Sequence, residues 1–145
     1  MAKDQYYIID FDSTFTQVEA LDELGEITLE GEENKAEILQ QIRDLTNGAM
    51  EGKSSFTEGL SKRLALLKAN RRHLKPLIQL LQNRVSDSIK RNKEFFNTYA
   101  DNILIVSSGF KEFITPIVTE YGIKEENIHA NTFKFDEQGN IVGFD

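Results

Sequence analysis

Apolar positions change their period along this chain and then change back. Tyr6, Tyr7, Ile8 and Ile9 form a short unbroken run, the pattern of a buried strand. From Val18 the spacing turns helical, with Val18, Leu21, Leu24 and Ile27 recurring at threes, so a helix is predicted from Val18 to about Ile27. Glu30-Gly31-Glu32-Glu33-Asn34 reads as a loop whose Asn34 caps a second helix carrying Ile38, Leu39, Ile42 and Leu45. Gly48-Ala49-Met50-Glu51-Gly52 reads as a tight link to a third helix, which begins near Ser54-Ser55 and carries Phe56, Leu60, Leu64 and Leu67. Pro76 suits the first turn of a fourth, with Leu77, Ile78, Leu80 and Leu81, and Ser86 opens a fifth that includes Ile89, Phe95 and Phe96.

Strand patterning returns at Ile103-Leu104-Ile105-Val106, a branched apolar run of the kind found in parallel strands covered on both faces. It ends in Ser107-Ser108-Gly109. The next helix turns Phe113, Ile114, Ile117 and Val118 inward and stops at Tyr121-Gly122, where glycine suits a left-handed cap. His129 falls in a link. Thr132-Phe133-Lys134-Phe135 and Asn140-Ile141-Val142-Gly143-Phe144, joined across Asp136-Glu137-Gln138-Gly139, read as a hairpin. The order strand, helical insertion, strand, helix, hairpin is that of an α/β protein.

Composition narrows the function classes. The 145 residues are 39% hydrophobic, enough for one sizeable core. A net charge of -7, from 24 acidic against 17 basic residues, argues against a nucleic-acid or anionic-membrane partner. The basic run Lys90, Arg91 and Lys93 reads as surface, as does His73 beside Arg71 and Arg72. Zero cysteines exclude disulfides and thiolate chemistry and fit a cytoplasmic protein. The first residues lack the pattern of a signal peptide, and no stretch is long enough for a membrane span.

The candidate chemistry lies where strands end. Asp10 and Asp12 flank Phe11 just past the first strand, with Ser13 and Thr14 following. The carboxyl ends of strands in an α/β sheet face the ligand crevice, so two acids there suit a hard cation and a division of labour between nucleophile and proton carrier. A turn rich in capping residues is the plainer alternative. Arg63 lies in the helical stripe of Phe56, Leu60 and Leu67, either as an anion reader or as a long side chain reaching solvent.

Asp10-Phe11-Asp12-Ser13-Thr14 resembles the DxDxT motif of the haloacid-dehalogenase (HAD)-like phosphohydrolases. Three further segments resemble the phosphoserine phosphatases within that superfamily: Glu19-Ala20-Leu21-Asp22-Glu23, Ala49-Met50-Glu51-Gly52-Lys53 with Phe56 and Lys62-Arg63 beyond it, and Val106-Ser107-Ser108-Gly109-Phe110. The resemblance implies a partial HAD-type, Rossmann-like three-layer core from residues 1–16 and 84–145, with a C-terminal hairpin and a helical cap, residues 17–83, inserted after the first motif. It implies hydrolysis of a small phosphomonoester, L-phosphoserine, in cytoplasmic serine biosynthesis. Asp10 would be the nucleophile that forms an aspartyl-phosphate, and Asp12 the general acid and base. Mg2+ would be held by Asp10 and Asp12, the latter through its backbone carbonyl. Ser107, Ser108 and Gly109 would cradle the phosphoryl group. Arg63 would take the substrate carboxylate and Glu19 its ammonium, with Met50 and Phe56 packing over the bound amino acid.

The chain also departs from that pattern, because no later lysine or GDGxxD-like segment follows Gly109 in the right order: Lys111, Lys124 and Lys134 have the wrong context. The resemblance therefore predicts a truncated, weakly active or inactive phosphatase whose first strand is an exposed edge open to self-association. Two alternatives stand beside it: a non-catalytic module that binds a ligand or partner, and a phosphatase for another small phosphomonoester.

Overall fold

Three parallel strands carry the fold in the computed structural model of the chain, which describes residues 5–50, 52 and 55–145 and the side chains of all of these except 49 and 50. Strand β1, Tyr7–Ile9, pairs with β2, Ile103–Phe110, in the register Tyr7↔Ile103, Ile8↔Leu104 and Ile9↔Ile105. On its other side β2 pairs with β3, Ile128–Asn131, giving the order β1-β2-β3. Parallel neighbours need a crossover, and here it is long. It contains α1 (Ala20–Thr28), α2 (Lys35–Met50), α3 (Phe56–Leu67), α4 (Leu74–Gln82), α5 (Asp87–Arg91) and α6 (Lys93–Tyr99). After β2 come α7 (Lys111–Val118), β3, and the antiparallel hairpin of β4 (Phe133–Phe135) and β5 (Ile141–Phe144).

Most elements follow the apolar pattern, and the departures have local causes. Ser55 caps α3 by accepting from the Glu58 amide at 3.1 Å, and Gly122 closes the turn after α7 at φ 86. The glycine-rich link is shorter than expected, since α2 runs through Gly48 to Met50. The single helix expected from Ser86 is two, broken at Asn92, whose side chain donates to Ser88 O at 2.6 Å and ends α5. His129 is not in a link. It sits in β3, a four-residue strand too short and too polar to show alternation, placed by its pairing with Val106.

Aromatic rings fill the space under one face of the sheet. Tyr7 meets Phe95 edge-on at 5.2 Å, and Phe15 sits between Phe96 and Tyr121 at 5.8 and 5.3 Å. Ile103, Ile105 and Ile128 are buried on that side. The opposite face is bare: Ile8 is 71% and Val106 45% exposed, and the apolar run of β2 thus carries more hydrophobic surface than the described residues cover. β1 is an edge strand in this sheet.

Two sets of contacts fix the helical segment on the strands. Residues 14–17 pair with 84–86: Gln17 N donates to Arg84 O at 2.8 Å, Ser86 N to Phe15 O at 2.9 Å, and the Ser86 hydroxyl to Thr14 O at 2.7 Å. Asn70, just beyond α3, donates to Gln138 O at 3.1 Å and Asn140 Oδ1 at 2.9 Å, binding the hairpin turn. Gly139 has φ +85, and a Cβ there would lie 3.3 Å from Asn70 Oδ1, so both turn and contact favour glycine. No helix among the described residues is long and apolar enough to cross a membrane.

Candidate active site

The acids at the end of β1 are placed by two buried rings. Phe11 and Phe15 point into the core, and between them the backbone makes a wide turn closed by Thr16 N donating to Phe11 O at 3.1 Å. Ser13 lies in the left-handed region at φ 57, a strain of about 1 kcal/mol for a non-glycine residue. Its amide donates to Val18 O at 3.1 Å, which holds the turn in that shape. Asp10 is exposed and accepts from the Phe11 amide through Oδ1 at 2.8 Å.

Asp12 and Glu19 are tied across the start of α1. Asp12 Oδ1 accepts from the Ala20 amide at 2.8 Å, satisfying one of the free N–H groups at the helix start. The Ser13 hydroxyl donates to Glu19 Oε1 at 2.9 Å. Both carboxylates line a cavity of about 230 Å³ between α1, α2, α3 and the end of β2. Asp22 joins them from the first turn of α1, and Arg63 lines the cavity from α3. Thr46 on α2, Leu21 and Leu60, and Ser108 with Gly109 complete the walls.

Burial shapes the charges of this cavity. Asp12 is raised from 3.8 to about 6, chiefly by its burial and then by the negative charges of Glu19, Asp10 and Asp22, against the lowering effect of the Ala20 amide. A carboxyl near that value can both give and accept a proton close to neutral pH. Burial lowers Arg63 from its ordinary value, while Asp22, Glu19 and Asp12 act to keep it charged. Its Nη1 donates to Thr46 Oγ1 at 3.3 Å, and its buried Nε has no partner among the described residues. An arginine held this way has guanidinium capacity left for an anion.

The residues expected to form the site are brought together unevenly. Asp12, Glu19, Arg63, Ser108 and Gly109 share the cavity wall. Asp10 and Ser107 flank it in sequence without lining it. The Ser107 hydroxyl accepts from the Gly109 amide at 2.9 Å, so it shapes the end of β2, where the register to β3 shifts between Val106 and Phe110. A Cβ on Gly109 would lie 3.1 Å from Ser107 Oγ and 3.3 Å from Ile114 and Phe113, which accounts for glycine there. Phe56 is 48% exposed and outside the cavity lining, and the Met50 side chain lies outside the described residues. Asp22, Thr46, Leu21 and Leu60 were not expected. For Asp22 a signal existed, because it follows Glu19 by three on one helix face.

Among the described residues no three histidine or acidic side chains gather as a metal cluster. Asp10 and Asp12 nonetheless offer two hard-oxygen residues on one turn. Mg2+ takes one or two carboxylates when substrate phosphate and water complete its octahedron, so the pair fits an ion completed by its ligand.

No protein-family model matches the chain. Curated relatives do: it is 29% identical over 141 residues to the phosphoserine phosphatase of Drosophila melanogaster, covering 97% of this chain and 49% of that protein. Among solved structures, a phosphoserine phosphohydrolase-like protein from Francisella tularensis superposes with a TM-score of 0.80 at 30% identity, over 97% of this chain and 64% of that one. A phospho-aspartyl intermediate analogue of phosphoserine phosphatase matches with a TM-score of 0.65 at 25% identity, over 97% of this chain and 62% of that one. The chain spans about half the length of the curated relatives it matches. The chain thus has the α/β fold of these hydrolases, and in sequence it is similar to phosphoserine phosphatases over about half of their length.

Proposed function

We propose that the chain carries the substrate-selecting and acid–base half of a phosphomonoester hydrolase acting on L-phosphoserine. The observation that carries this reading is Asp12, raised to about 6, in one cavity with Arg63 and Glu19. Asp10 attacks phosphorus through a carboxylate oxygen, and the bond from phosphorus to the serine oxygen breaks. The Asp12 carboxyl gives that oxygen its proton. In the second half, Asp12 takes a proton from water as the water oxygen attacks phosphorus, which releases phosphate and restores Asp10. When bound at Asp10 and Asp12, Mg2+ supplies charge neutralisation at the phosphoryl oxygens. Ser108 and Gly109, with Ser107 beside them, offer a small-residue cradle for the phosphoryl group. Arg63 takes the substrate carboxylate with the guanidinium capacity that Thr46 leaves unused.

Within this reading, residues 17–83 act as a cap on a core of residues 1–16 and 84–145. The pairing of residues 14–17 with 84–86, where the chain passes between the two, supports that division. Met50 and Phe56 belong to the cap side, and the exposure of Phe56 suits a residue that covers a ligand only when one is bound. Cytoplasmic serine biosynthesis is the setting this chemistry suits.

The test is phosphate release from O-phospho-L-serine by the purified chain, with and without Mg2+. We expect slow, Mg2+-dependent release that Asp10→Asn abolishes, and an Arg63→Ala loss far larger for phosphoserine than for an aryl phosphate. Equal losses on both substrates would overturn the substrate assignment. One observation favours a second reading, binding without turnover: among the described residues no group of three or more histidine or acidic side chains is placed to hold a metal ion. Phosphoserine binding with no release at any Mg2+ concentration would select it. The open edge of β1 and the bare face of Ile8 and Val106 also suit self-association of the chain.

A further inference from the structure

We propose that Asp22, rather than Glu19 alone, reads the ammonium group of an amino-acid phosphate whose carboxylate lies on Arg63. The inference rests on the reading of Arg63 given above and adds a specificity-determining residue to it.

Three observations carry it. First, the cavity wall holds three carboxylates, Asp12, Glu19 and Asp22, against one guanidinium, Arg63. An anionic phosphate ester alone would be repelled by that balance, whereas a zwitterionic ester brings a cation of its own.

Second, the three acids differ in what already holds them. Asp12 Oδ1 accepts from the Ala20 amide at 2.8 Å and Glu19 Oε1 from the Ser13 hydroxyl at 2.9 Å. The exposed Asp22 side chain has no hydrogen bond or ion pair among the described residues, although it shares the cavity with Arg63. Its carboxylate is therefore the acid with most accepting capacity left for an incoming donor. Glu19, the extended residue before α1, and Asp22 in its first turn line the same cavity, so both carboxylates can reach one ammonium group.

Third, an α-amino acid carries its ammonium and carboxylate on the same carbon, so the reader of one must stand beside the reader of the other. Of the three acids, Asp22 acts most strongly on Arg63, while Glu19 acts most strongly on Asp12. Asp22 and Arg63 line one cavity with Asp12, so a ligand whose phosphoryl end lies at Asp12 can place its amino-acid end at Asp22 and Arg63.

The test compares binding of O-phospho-L-serine with that of its desamino analogue, 3-phosphooxypropanoate, by calorimetry on the full chain. The parent should prefer the amino compound, and Asp22→Asn should cut that preference about fivefold, the size of one partly exposed ion pair. Binding of the desamino analogue should hold or strengthen, because one repelling charge is gone. Glu23→Gln removes a neighbouring charge from the same helix turn without touching the cavity lining, and should leave the preference intact. If Arg63→Ala weakens phosphoserine binding but Asp22→Asn leaves the preference as in the parent, the inference fails alone. If Arg63→Ala has no effect, or the parent does not bind phosphoserine, the reading beneath it fails as well. An equal loss in Asp22→Asn and Glu23→Gln would mark a general effect of helix charge and also overturn the proposal.

Discussion

Replacing Asp12 by Asn should make the protein more stable at neutral pH while removing its proton carrier. The carboxyl titrates at about 6 in the folded chain against 3.8 as an ordinary aspartate, raised by burial first and by Glu19, Asp10 and Asp22 next. A folded pKa above the unfolded one means that the native state binds more protons between the two values. Stability therefore falls as pH rises through that window, and the full cost is present above it. At about 1.4 kcal/mol per unit, the ionised carboxylate costs the native state about 3 kcal/mol above pH 7. Asparagine keeps an Oδ1 that can accept from the Ala20 amide but gives up the charge-assisted part of that bond, about 1 kcal/mol. The expected net gain is about 1–2 kcal/mol at pH 7.5. At pH 4.5 the native carboxyl is protonated while the unfolded one is still mostly ionised, so the cost falls from about 3 to about 1 kcal/mol and most of the gain vanishes.

Urea unfolding followed by far-UV circular dichroism at the two pH values measures this directly. Asp12→Asn should shift the midpoint upward at pH 7.5 and leave it close to the parent's at pH 4.5, with the slope unchanged. A variant that loses stability at pH 7.5, or gains equally at both, would refute the claim that burial of a charge sets the Asp12 pKa. The gain should come with loss of phosphate release, because the group that destabilises the native state is the one assigned to proton transfer.

Three further outcomes follow from the packing. Phe15→Ala removes a fully buried ring set between Phe96 and Tyr121 and should cost about 3–5 kcal/mol in urea unfolding. Asn70→Ala strands the carbonyl of Gln138 and the side chain of Asn140, so it should cost about 1–3 kcal/mol, with faster hydrogen exchange at the Arg71 and Ile141 amides that bond across this junction. Ile8→Lys with Val106→Lys changes only the bare sheet face. It should move stability by no more than about 0.5 kcal/mol and lower any self-association seen by sedimentation.

The helices were legible because their cores are periodic. Leu60, Leu64 and Leu67 of α3, and Leu77 and Leu81 of α4, are buried as their spacing requires. What stayed hidden depended on partners distant in sequence. Nothing in Ile128-His129-Ala130-Asn131 marks a strand by itself; it becomes one because β2 offers it an edge at Ile105 and Val106. The run of β2 misled in the other direction, since branched apolar residues predict cover on both faces and only one face is covered by the described residues. Asn92 broke a helix that apolar spacing carried straight through, a case where a local side-chain bond to Ser88 O outweighed the pattern.

The site divides along the same line. Asp10 and Asp12 were visible because two acids after an apolar run have few structural reasons to be there, and Arg63 because a charge in an apolar stripe needs one. Asp22 showed only its spacing of three from Glu19, and a first-turn aspartate reads as ordinary dipole compensation until another helix brings Arg63 to the same cavity. Thr46 likewise looks like a solvated helix residue until the Arg63 Nη1 bond gives it a role. Sequence separation explains this better than residue type: Thr46 and Arg63 are 17 positions apart on different helices, and no periodicity links one helix to another. The charges at the cavity therefore depend on how α1, α2 and α3 pack, and a change at Thr46 should affect phosphoserine through Arg63 alone. Thr46→Val keeps the side-chain volume and removes the oxygen that Arg63 uses, so it should weaken phosphoserine binding several-fold in the parent and not at all in Arg63→Ala. Equal loss in both backgrounds, measured by the same calorimetry, would show that Thr46 acts on the fold of α2 rather than on the guanidinium.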